Sequence, residues 1–243
     1  MKIKLFTIPN MFTLANLLCG SVAAVSALVW GEPVLSFCLI IAAAVFDFFD
    51  GFAARLLKTP SAIGVELDSL ADMISFGFAP AAIFINIYAD APQWCEWSAA
   101  VVKIGSLLPL LMTAFSALRL AKFNIDDTQH TEFCGLPTPA NALLCASLGM
   151  SVALGQLEMP REAIVIVSVV MSYLLISPVR MFSLKFQGFG MKENALRYAF
   201  LAVAAALIIF DYRYSVPEII VIYIAVSFVR WVVRSRKSAG TEA

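Results

Sequence analysis

The chain has 243 residues, 61% of them hydrophobic and 14% charged, and a mean hydropathy of +0.87, well outside the soluble globular range. Its 17 basic and 17 acidic side chains cancel, so no polybasic surface argues for nucleic acid. Five cysteines (19, 38, 95, 134, 145) without C-x-x-C spacing and a single histidine, His130, speak against a disulfide frame, a zinc site or histidine-based catalysis. Most of the cysteines sit in apolar segments and are expected to be small core residues.

Apolar runs near the roughly 20 residues needed to cross a bilayer recur from end to end. The spacing predicts an all-α, polytopic membrane bundle of eight helices, one domain over 1–243. The first, at 11–30, follows Lys2 and Lys4 and carries AVSA at 24–27, a pattern that imitates a signal peptide. It is long enough to span, however, and further spans follow at once. GEP at 31–33 separates it from a second helix at 34–56, and KTPSA at 58–62 precedes a third at 66–88. DAPQW at 90–94 leads to a fourth at 98–121, and GLPTP at 135–139 opens a fifth at 138–156. EMP at 158–160 precedes a sixth at 162–182; the seventh runs over 194–211 and the eighth, after Pro217, over 216–234. Trp94, Trp97 and Trp231 fall near predicted boundaries and read as interface anchors. The tail RWVVRSRKSAGTEA reads as a basic end contacting anionic membrane lipid.

Basic residues in loops set the orientation. With the N-terminus cytoplasmic, only Lys103, Arg161 and Arg213 of the 17 basic residues fall outside, leaving 14 inside. Both termini are then cytoplasmic, and so is any chemistry, because the longer polar loops (57–65, 122–137, 183–193) lie on that side. The expected location is a cell inner or plasma membrane.

Against this apolar background stand Asp47, Asp50, Asp68 and Asp72. Asp47 and Asp50 are three apart near the end of the second helix, and Asp68 and Asp72 four apart at the start of the third, so each pair shares a face. The short link LLKTPSAIG makes the two helices antiparallel neighbours and brings the four acids together. Two carboxylates about 5 Å apart repel by roughly 3 kcal/mol at an effective dielectric near 20, and only Arg55 and Lys58 are at hand to offset them. A hard divalent cation, Mg²⁺ or Mn²⁺, shared with substrate phosphates removes the difficulty. The alternative is acids facing water at helix ends, with Asp68 favoured by the macrodipole. Gly51, Ala54 and Gly64 leave room for a bulky ligand, or for close helix packing. Arg55 offers a planar fork suited to phosphate.

From Asp47 to Asp72 the residues spell D-x2-D-G-x2-A-R-x8-G-x3-D-x3-D. This resembles the signature of the CDP-alcohol phosphatidyltransferases, integral membrane enzymes of phospholipid synthesis. PNMFTLANLLCG at 9–20, RLAKFNI at 119–125, GLPTPA at 135–140 and SPVRMFSLKF at 177–186 look like the type II phosphatidylserine synthase branch of that family, as do eight spans. The resemblance implies transfer of phosphatidyl from CDP-diacylglycerol to L-serine with release of CMP, two divalent cations at Asp47, Asp50, Asp68 and Asp72, and a homodimer. Asp72 would be the general base for the serine hydroxyl. Gly51, Arg55 and Ser61 match positions that contact the CDP moiety, and Asn10 and Thr13 would complete that pocket, unless they serve as cap or packing residues. Arg119 and Lys122, then Arg180, are candidates for the acceptor's carboxylate, against an ordinary role as positive-inside anchors.

Two other readings remain. A glycerol 3-phosphate or inositol phosphate acceptor would want a denser basic cluster, for which Arg119, Lys122, Arg180 and Lys185 are available. A cation-coupled transporter would want acids near the midplane matched in two repeats. Here the acids cluster at one face with no counterpart in the second half.

Overall fold

A computed structural model describes residues 5–58, 61–126, 132–182, 190, 194–211 and 214–239. Lys2, Lys4, His130, Lys185, Lys192 and Arg213 lie outside them. The described residues form eight helical rods: α1 (Ile8–Trp30), α2 (Pro33–Leu56), α3 (Ala62–Asp90), α4 (Ala99–Ile125), α5 (Thr138–Ala153), α6 (Arg161–Ile176), α7 (Ala195–Phe210) and α8 (Ser215–Ala239). Five of them, α1 to α4 and α8, are long and apolar enough to cross a membrane, while α5 and α7 are shorter apolar helices.

Local chemistry sets the ends. Thr7 caps α1 by accepting from the Asn10 N–H, with Pro9 in the first turn where no N–H is needed. Gly31, at φ +69°, closes the same rod in a left-handed conformation that glycine adopts without strain. Ser61 caps α3 through the Gly64 N–H.

Three expectations are corrected. The third helix begins at Ala62 rather than 66, so Asp68 lies in its second turn, beyond the strongest part of the macrodipole. The sixth helix ends at Ile176, because Pro178 forces the preceding Ser177 into an extended conformation (ψ 153°). Arg180–Phe182 then pairs antiparallel with Glu132–Cys134 as a two-stranded ribbon. Finally, all five cysteines are free thiols but only Cys145 is buried; Cys38 and Cys95 are exposed.

Two π-helical turns interrupt the rods, Ser26–Trp30 at the end of α1 and Met73–Phe78 within α3. The second comes directly after Asp72 and just before Pro80, whose missing N–H and ring an unbroken α-helix would not accommodate. α1 packs along both α2 and the first half of α3. Small residues make these crossings possible: Ala23, Ala24, Ala27, Ala43, Ala79, Ala82, Ala142 and Ala146 are buried in one cluster with Ile40, Phe76 and Ile83. Gly20 has no room for a Cβ against Ser75, nor Gly149 against Ile83. A second cluster, around Phe84, Tyr88, Met112, Leu144 and Met171, extends to Phe182, Phe200 and Tyr223. It seats α8 against α5 and the ribbon.

At the end of the bundle away from the signature acids, Arg161 ties α6 to α3. Its Nε and Nη2 donate to the carbonyls of Tyr88 (3.3 Å) and Ala89 (2.9 Å), carbonyls in the last turn of α3 that lack helical partners. Glu162 beside it accepts from the N–H groups of Trp94 (3.1 Å) and Cys95 (2.9 Å).

Candidate active site

Asp47 and Asp50 come from the last turns of α2, Asp68 and Asp72 from the first half of α3, and α1 runs beside both. Asp47, Asp50 and Asp68 each place a carboxylate oxygen within 4.8 Å of the other two. Asp68 Oδ1 is buried and has no hydrogen-bond partner. Three hard oxygens so close repel one another and are costly to bury bare. As a donor set they suit a hard divalent cation.

Asp72 stands apart from that trio. It is 8% exposed, receives a hydrogen bond from Asn16 Nδ2 at 3.2 Å, and feels the charges of Asp47, Asp68 and Asp50. Asp50 is held from α1 by Thr13, whose hydroxyl donates to Oδ2 at 2.7 Å.

Beside the acids a cavity of about 170 Å³ is lined by Pro9, Asn10 and Thr13 of α1, Asp50, Gly51 and Ala54 of α2, and Ser61, Gly64, Val65 and Asp68 of α3. Gly51 borders open space: a Cβ there would meet only Arg55 Nη1, at 3.9 Å. Gly64 is tighter, its Cβ position lying 3.0 Å from Ser61 Oγ and 3.4 Å from Asn10 Oδ1. Asn10 is anchored by donating to the Leu5 carbonyl at 2.8 Å. Gly51, Ser61, Asn10 and Thr13, expected at a CDP pocket, thus line one cavity with two of the acids, and Arg55 lies at its edge. A larger cavity of about 570 Å³ at the other end of the bundle, among Asp90, Pro92 and Glu158, contains none of these residues.

The three acceptor candidates separate. Arg119 is buried near the end of α4, donates from Nη1 to Thr138 Oγ1 at 3.1 Å, and interacts electrostatically with Asp72. Its Nε has no hydrogen-bond partner. Lys122 is exposed, with Nζ 3.7 Å from Cys134 Sγ, and Arg180 lies exposed on the ribbon.

Two residues were missed by sequence reasoning. Asn16 contacts Asp72, and Ser75, in the π-helical turn after it, donates to the Asn16 carbonyl at 3.0 Å. The signal for the first was present: Asn10, Thr13, Asn16 and Gly20 recur at helical spacing in an apolar helix and are all buried.

Residues 6–174 match the family model described as CDP-alcohol phosphatidyltransferase. The chain is similar to proteins named CDP-diacylglycerol–serine O-phosphatidyltransferase from bacteria and an archaeon. It is 35% identical to the Helicobacter pylori protein, over 58% of this chain and 56% of that one. It is also 35% identical to the Bacillus subtilis protein, over 54% of this chain and 69% of that one. The Methanocaldococcus jannaschii protein is 34% identical over 58% of this chain and 59% of that one. The match therefore spans between about half and two thirds of these relatives' length.

Proposed function

The chain belongs to the CDP-alcohol phosphatidyltransferase family, and on that premise we propose that it transfers phosphatidyl from CDP-diacylglycerol to L-serine, releasing CMP. The observation that carries this reading is the meeting of the acidic trio with the Gly51-floored cavity. That juxtaposition puts a charge-rich oxygen site beside a pocket with backbone within reach of a ligand.

Asp47, Asp50 and Asp68, with Asp72, are the residues that would hold two divalent cations, Mg²⁺ or Mn²⁺. Bound there, such cations would neutralise the diphosphate and make its phosphorus more electrophilic. The cytidine diphosphate is taken by the cavity, where Gly51 and Gly64 admit it close to the backbone. Ser61, Asn10 and Thr13 offer polar edges, and Arg55 reaches the phosphates from the rim. Asp72 takes the proton from the serine hydroxyl. The serine oxygen forms a bond to the phosphorus bearing diacylglycerol as that phosphorus parts from CMP, which keeps the bond's electron pair. The burial of Asp72 and its hydrogen bond from Asn16 Nδ2, which holds the carboxylate in place at one side of the trio, support the base role.

Arg119 would pair with the acceptor's carboxylate; its burial and its unpartnered Nε support this. Lys122 and Arg180 are better read as surface anchors. A phosphate-bearing acceptor would want several cations beside Asp72, and among the described residues Arg119 alone is buried there. We further propose that the acidic end faces the cytoplasm, from the asymmetry of basic loop residues, and that the protein is a homodimer, from the family likeness alone.

The test is CMP release by purified protein supplied with CDP-diacylglycerol and, in parallel, serine, glycerol 3-phosphate or an inositol phosphate. Release that depends on serine is expected. Release with a phosphate-bearing alcohol and none with serine would replace the acceptor assignment.

A further inference from the structure

Asn16 is fully buried in the middle of an apolar helix, and only half of its amide is used. Its Nδ2 donates to Asp72 Oδ1 at 3.2 Å, which fixes the amide's orientation, because the reverse would set two oxygens against each other. Oδ1 must then point away from Asp72, and it is buried with no partner. The backbone around it is held in place: the Asn16 main-chain carbonyl receives the Ser75 hydroxyl at 3.0 Å, and Gly20, one turn further on, packs against Ser75 too closely to admit a Cβ. A buried oxygen left unpaired while the amide nitrogen is engaged by Asp72 awaits a donor from outside the protein.

A second unpaired group lies on another neighbour of Asp72. Arg119, held through Nη1 on Thr138, keeps its Nε buried without an acceptor. Asp72 is therefore flanked by one residue that lacks a donor and one that lacks an acceptor. A ligand whose hydroxyl approaches Asp72 satisfies both if it also carries an ammonium and a carboxylate. We infer that Asn16 Oδ1 accepts a hydrogen bond from the acceptor's ammonium group, so that Asn16 both positions Asp72 and selects a 2-amino-3-hydroxy acid over alcohols lacking the amine. This rests on the reading of Asp72 as base and of an amino acid as acceptor.

Positioning and selection separate in a comparison of acceptors. The two substrates are L-serine and 3-hydroxypropanoate, which retains the hydroxyl and carboxylate but has no amine. Misplacing Asp72 slows both alike, whereas losing the ammonium contact penalises serine alone. With wild-type protein, CMP release should favour serine strongly. Asn16→Leu should reduce that preference by about tenfold or more, in the range of a hydrogen bond to a charged group, with KM for CDP-diacylglycerol unchanged. Should Asn16→Leu fail to assemble, Asn16→Ser, too short to reach, carries the same test. Arg119→Leu provides the mirror image, reducing the preference for serine over ethanolamine, which lacks the carboxylate. An unchanged serine to 3-hydroxypropanoate ratio in a folded Asn16 variant would overturn the inference and leave the transferase reading standing. No serine-dependent CMP release from wild-type protein would overturn both.

Discussion

Among the four signature carboxylates, Asp72 differs from the others in its company. Asp47, Asp50 and Asp68 face one another across a gap small enough for a cation, whereas Asp72 is tied to Asn16 and set toward Arg119. Asp72→Asn should therefore lower turnover by about a hundredfold or more, the usual weight of a positioned base, while CDP-diacylglycerol binding changes little. Near-normal CMP release in that variant would remove Asp72 from the base role. The glycines divide in a similar way. Gly51 faces open space, so Gly51→Leu should leave the fold intact and raise KM for CDP-diacylglycerol by filling the cavity. Gly20 faces the Ser75 backbone, so Gly20→Ala should instead lower thermal stability. Thermal unfolding in detergent, read beside KM for both variants, checks the contrast.

At the scale of elements, much of the bundle was legible because bilayer thickness, proline and glycine punctuation and charge patterning are all local in sequence. The signature acids were legible for the same reason: a spacing of three or four residues puts carboxylates on one face whatever lies around them. What escaped depends on partners distant in sequence. The π-helical turn at Met73–Phe78 answers to Pro80 and to the close packing of Gly20 on Ser75, and periodicity carries no mark of that fit. The ribbon after Ile176 pairs three residues with a segment more than 40 positions earlier. Arg119 and Lys122 look alike as basic residues at a helix end; only burial distinguishes them. Arg161, counted from sequence as a stray outer charge, proves to be a clamp on the last carbonyls of α3. Arg161→Ala should cost about 1–2 kcal/mol of stability with the KM of both substrates unchanged, as thermal unfolding and CMP release would report.

Across the whole molecule, the acids, the small cavity and Arg119 gather at one end, while the Arg161 clamp and Cys95 occupy the other. This polarity makes the membrane orientation directly testable. In intact cells a membrane-impermeant maleimide should label a variant whose only cysteine is Cys95. A variant whose only cysteine is introduced as Ile125→Cys, at an exposed site beside the acidic end, should be labelled only after permeabilisation. The reverse pattern would turn the active site outward.

The central claim is that CDP-diacylglycerol and serine are joined at the acidic end of the bundle with divalent-metal assistance. It is tested most directly by following labelled serine into lipid and CMP into solution in one reaction, with and without a chelator. The account predicts phosphatidylserine and CMP in equal amounts, lost on chelation and restored by Mg²⁺ or Mn²⁺. CMP formed without incorporation of serine, or incorporation indifferent to chelation, would contradict it.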